Sequence, residues 1–121
     1  MATILDETAI LRYLLNDNAR EARQVADVIA SGDAYVHPEM ITRAAVVLRD
    51  VYHVPRTMVA RVLEWMLDEV NASERAEIMH AIRLFGNTPM DFTDCMLVAR
   101  NVISGHKVLS FDKAIVKRAL P

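Results

Sequence analysis

Ala2-Thr-Ile-Leu-Asp-Glu-Thr-Ala-Ile-Leu-Arg-Tyr-Leu-Leu15 is the stretch whose reading decides the fold. Residues 2–5 are short and apolar, as a parallel strand buried on both faces is, and the run ends at Asp6. Thr8 is placed to cap a helix that carries Ile10, Leu11, Leu14 and Leu15. A strand, an acid at its carboxyl end and a helix make the first half of a crossover unit. The rest of the chain repeats that alternation.

Asn16-Asp-Asn18 breaks the first helix, and residues 19–30 form another, with Val25, Val28 and Ile29 turned inward. Ser31-Gly-Asp33 is a turn before a brief strand at 34–36. Pro38 suits the first turn of a helix running to about Tyr52. Pro55 opens the next helix, whose Val59, Val62, Leu63, Met66, Leu67 and Val70 give a wide apolar face. Ser73 is placed to cap a helix with Glu74 and Glu77 in its first turn, ending at Gly86. Residues 91–103 read as helix stopped by Gly105, residues 107–111 as the clearest strand, and 113–120 as a closing helix. This order predicts an α/β fold, one domain over residues 1–121, with a small parallel sheet covered on both faces.

Right-handed crossovers bring the carboxyl ends of parallel strands to one edge, where ligand sites of open sheets lie. Asp6 and Asp112 each follow an expected strand, and Asp94 opens the helix that arrives at the same edge. Three carboxylates gathered there suit a hard divalent cation such as Mg²⁺ or Mn²⁺, which can activate water against a phosphodiester. Taken singly, Asp91, Asp94 and Asp112 are also ordinary helix caps.

Composition sets bounds. The chain has 121 residues, enough to bury roughly two thirds of its unfolded surface, and 53% are hydrophobic, which argues against disorder. The net charge of −2 gives no overall pull toward nucleic acid. After Cys95, however, five basic residues (Arg100, Lys107, Lys113, Lys117, Arg118) accompany one acid, Asp112, so a basic flank adjoins the acids. A single cysteine forms no internal disulfide, which suits a reducing compartment. Its apolar neighbours make Cys95 a core residue. With no signal-peptide pattern and no apolar stretch long enough to span a bilayer, the expectation is a cytoplasmic protein without membrane contact. The four histidines lack zinc-ligand spacing.

Leu5-Asp-Glu-Thr-Ala-Ile-Leu-Arg-Tyr-Leu14, Asp91-Phe-Thr-Asp-Cys95 and Val108-Leu-Ser-Phe-Asp-Lys113, in this order and at these separations, resemble the PIN-domain proteins of the VapC toxin type. Tyr52-His-Val-Pro-Arg56 between them leads into a helix of suitable length. The resemblance covers nearly the whole chain. It implies a three-layer α/β/α sandwich and a Mg²⁺- or Mn²⁺-dependent endoribonuclease leaving a 5′-phosphate and a 3′-hydroxyl. Asp6, Asp94 and Asp112 would be its catalytic and metal-binding residues. It also implies a homodimer held in check by a VapB-like antitoxin, and the apolar helix with Trp65 and Met66 is a candidate pairing surface.

Three residues depart from that family's pattern. Arg43 stands where a helix-borne Glu is expected, Thr8 where an Asn is usual, and Glu7 where a small residue is usual. Arg43 would pair with Glu39 one turn earlier, or reach between Asp6 and Asp94 and neutralise them as an ion would, and the second is expected. Two functions stay open: the endoribonuclease, and a catalytically inactive PIN-like module that binds RNA or an antitoxin-like protein. Arg12, on the first helix, would either touch a phosphate or cover the surface.

Overall fold

The computed structural model describes all residues, Met1–Pro121, as seven helices and a three-stranded parallel sheet. In chain order these are β1 (Thr3–Ile4), α1 (Glu7–Leu15), α2 (Ala19–Ala30), β2 (Ala34–Val36), α3 (Pro38–Asp50), α4 (Arg56–Leu67), β3 (Asn71–Ala72), α5 (Arg75–Asn87), α6 (Phe92–Ser104) and α7 (Lys113–Arg118). The strands lie in the order β1-β2-β3, with Ile4 opposite Tyr35 and Tyr35 opposite Asn71. Each connection runs through two helices, which parallel strands require. The α/β class is therefore as the alternation implies, in a chain that is mostly helical.

Local chemistry explains the boundaries. Asp6, rather than Thr8, caps α1 by accepting from the Ala9 amide. Asn16 in the left-handed region ends that helix, and the Asn18 side chain caps α2 through the Glu21 amide. Pro38 opens α3, and Gly105 at φ 77° closes α6. Two arginines tie helix ends together. Arg75 donates from Nη1 to the Leu67 carbonyl at 2.6 Å and from Nη2 to that of Val70, holding the end of α4. Arg56 lies 3.8 Å over the Phe85 ring and donates to the Phe85 and Met90 carbonyls, fixing the passage from α5 to α6.

The core takes residues from all seven helices, with Ile10, Ile41, Leu48, Leu63, Met66, Ile82, Phe85 and Phe92 fully buried. Cys95 is among them, and burial pushes its thiol up to about 11, so it is an inert packing group at neutral pH. The helix α5 packs against both α4 and α6. No helix is long and apolar enough to cross a membrane.

Two expectations about strands need correction. Residues 107–111 form no strand: Leu109 and Phe111 are 88% and 93% exposed, and β1 remains the sheet edge. Their alternation matches a pleat, but β1 is a two-residue strand and offers almost no ladder to pair with. The third strand is instead β3, two residues whose Asn71 side chain donates to the Gly32 and Ala34 carbonyls. Ser73 also caps nothing. The α5 N-cap is Glu74 in the left-handed region, without a side-chain cap bond.

Candidate active site

Asp6 sits two residues after the end of β1, at the carboxyl edge of the sheet. Its Oδ1 accepts from the Thr8 hydroxyl at 2.6 Å and from the Ala9 amide at 2.9 Å. These bonds, the Thr8 one foremost, hold its carboxyl below the usual range, and the charge of Arg43 adds to the effect. Thr8 thus orients the carboxylate, and Oδ2 is left free of both bonds.

Arg43 does not reach between the aspartates. Its Nη2 lies 2.6 Å from Glu7 Oε1, and the Arg43 side chain is 67% exposed while that of Glu7 is only 20% exposed. The expected insertion is corrected by Glu7, which the packing of α1 on α3 brings to Arg43. Two of the three departures from the family pattern are therefore partners of each other. Arg12 is likewise engaged, 3.0 Å from Glu21 and 3.4 Å from Asp17, as a surface cover.

Asp94 lies in the first turn of α6 and borders a cavity of about 280 Å³ that Arg49, Asp50 and Asp91 also line. Burial raises its pKa first, then the charges of Asp91 and Asp112, and no hydrogen bond opposes them. Asp91 occupies the N-cap position, but its side chain makes no cap bond. Asp112 is the α7 N-cap: its Oδ1 accepts from the Ala114 amide at 2.9 Å and the Ile115 amide at 3.4 Å. It follows an irregular segment rather than a strand.

Asp94 thus feels the charge of Asp112, while Asp6 responds to Arg43. No group of three or more His, Cys, Asp or Glu side chains is placed to hold a metal ion. Two further groups at this edge escaped the sequence reading. His37, after β2, has Nδ1 2.8 Å from the Ser73 hydroxyl, which follows β3. Glu74 accepts from Arg100 Nε at 2.8 Å and Nη2 at 3.0 Å, a bidentate pair linking α5 to α6. Their only signal in the sequence is position after short apolar runs, and the run before Ser73 reads as the tail of a helix. No family model, curated protein or solved structure matches the chain.

Proposed function

We propose that this chain is a PIN-like domain of the VapC toxin type: a three-layer sandwich that acts as a metal-dependent endoribonuclease in the cytoplasm, paired with an antitoxin. The observation that carries this reading is the Glu7–Arg43 ion pair. The cation that replaces the expected acid is drawn to the side, and Asp94 keeps an unbonded carboxylate that feels the charges of Asp91 and Asp112. Asp6 and Asp112 each commit one oxygen to a helix cap, which fixes the carboxylate plane and leaves the other oxygen for a ligand.

Mg²⁺ or Mn²⁺ would be held by Asp94 and Asp112, with Asp6 as third ligand. No three-ligand group stands ready, so weak affinity is expected. A bound divalent cation supplies Lewis acidity and offsets charge at a phosphodiester. The protein's own contribution is to hold the carboxylates oriented. Lys107 and Lys113, on the flanking segment, add positive charge for an RNA backbone.

The test is calorimetric titration with Mn²⁺ beside a fluorescent RNA cleavage assay. Feeble cleavage is expected from the natural protein and none from Asp94→Asn. The double variant Glu7→Ala/Arg43→Glu restores four acids and is expected to bind Mn²⁺ at least tenfold more tightly and to cleave faster, since changes around a metal's ligands commonly alter affinity 10–100-fold. No gain in either quantity would overturn the nuclease reading. The other reading, an inactive PIN-like module that binds RNA or an antitoxin-like protein, is favoured by Leu109 and Phe111, two large apolar side chains left open to a partner beside Asp112.

A further inference from the structure

Asn101 is the only polar residue that the fold buries, at 5% exposure. A buried amide is costly unless bonded, so its partners identify its task. Its Nδ2 donates to the His106 carbonyl at 2.7 Å and to the Leu120 carbonyl at 3.1 Å, while Oδ1 accepts from the Leu120 amide at 2.7 Å. Every one of these bonds goes to the segment that carries Asp112, one at its start and two at its end. Between them, only Ile115 is buried.

Asn101 and Asp94 lie seven positions apart on α6 (101 − 94), so they share one helix face about 10 Å apart along the axis. One helix therefore presents a carboxylate at its first turn and, two turns later, the strut that anchors the segment bearing the second. We infer that Asn101 is a positioning residue that fixes the Asp112-bearing segment against α6 by clamping both ends of residues 106–120. The value of that placement rests on the metal-site reading above, but the clamp itself does not.

The two are tested separately in the full chain. Spin labels at exposed Leu97 and Lys113, in a Cys95→Ala background, report the distance from α6 to α7 by pulsed electron resonance. A single narrow distribution is expected for Asn101, and a broad one for Asn101→Leu and for Asn101→Asp, which keeps the acceptor but loses both donations. Leu120→Pro, which removes the Leu120 N–H along with a largely exposed side chain, is expected to broaden it less and serves where the Asn101 variants fail to fold. In titrations with Mn²⁺, Asn101→Asp is expected to weaken binding about as much as Asp112→Ala, roughly tenfold. Combining the two should add little.

A narrow distribution in a folded Asn101→Asp or in Leu120→Pro would overturn the clamp. So would normal Mn²⁺ binding by Asn101→Asp where Asp112→Ala binds poorly. Broad distributions with no Mn²⁺ response to Asp112→Ala would leave the clamp standing and sink the metal-site reading instead.

Discussion

At the scale of single residues, Asp6 and Asp94 are set apart by what surrounds them. Asp6 is stabilised as an anion by Thr8 and Ala9, whereas Asp94 is destabilised by burial and by Asp91 and Asp112. A carboxyl whose folded pKa is raised binds its proton more tightly in the native state than when unfolded. Its contribution to stability therefore falls as pH rises from the unfolded value of about 3.9 through the raised folded one. Asp94→Asn removes that penalty. The variant is expected to melt above the natural protein at pH 7, with the gap closing below about pH 3.9. Equal gaps at both pH values would show that charge burial is not the cause. The position of Asp6 at a strand end and of Asp94 in a first helical turn was legible in the sequence, because both follow from local pattern. The Glu7–Arg43 pair was not, since it depends on how α1 is seated on α3.

At the scale of elements, helices with an unbroken apolar stripe and chemical stops were readable: α2 between Asn18 and the Ser31 turn, and α6 ending at Gly105. The strands β1 and β2 were readable too, but β3 was not, because β propensity registers a fit to a pleated surface that a two-residue strand barely provides. Residues 107–111 carry the right alternation without that surface. None of their amides has a backbone partner, so hydrogen exchange there is expected to be as fast as in an unprotected peptide. Slow exchange would mean that the segment pairs with β1 after all. The packing of α4 on α5 depends on a close approach at Gly86, where an added Cβ would lie 2.7 Å from the Ala60 Cβ. Gly86→Ala gains about 1 kcal/mol of helix propensity and loses about 1–3 kcal/mol to overpacking. Chemical denaturation is expected to show a net loss, and a double-mutant cycle with Ala60→Gly a favourable coupling. Additive effects would show that the helices have room to part.

At the scale of the whole molecule, one core serves all seven helices, yet large apolar side chains remain outside it on α4 and just before it. Val51, Tyr52, Met58 and Trp65 are exposed, and Trp65 at 54% stacks against Tyr13 at a centroid distance of 5.7 Å with the rings nearly parallel. The stack fixes the indole in place while leaving much of it in water, and so lowers the entropy lost when it is covered. Aromatic anchors held this way are common hot spots of interfaces. A second copy of the chain is the occupant expected from the family resemblance. Light scattering at concentrations well above micromolar is then expected to give twice the chain mass, and Trp65→Arg to give the chain mass with an unchanged far-ultraviolet spectrum. A monomeric natural protein would remove the dimer and leave this face open to a different partner. A dimer that survives Trp65→Arg would place the contact elsewhere, with the exposed Leu109 and Phe111 as the next surface to substitute.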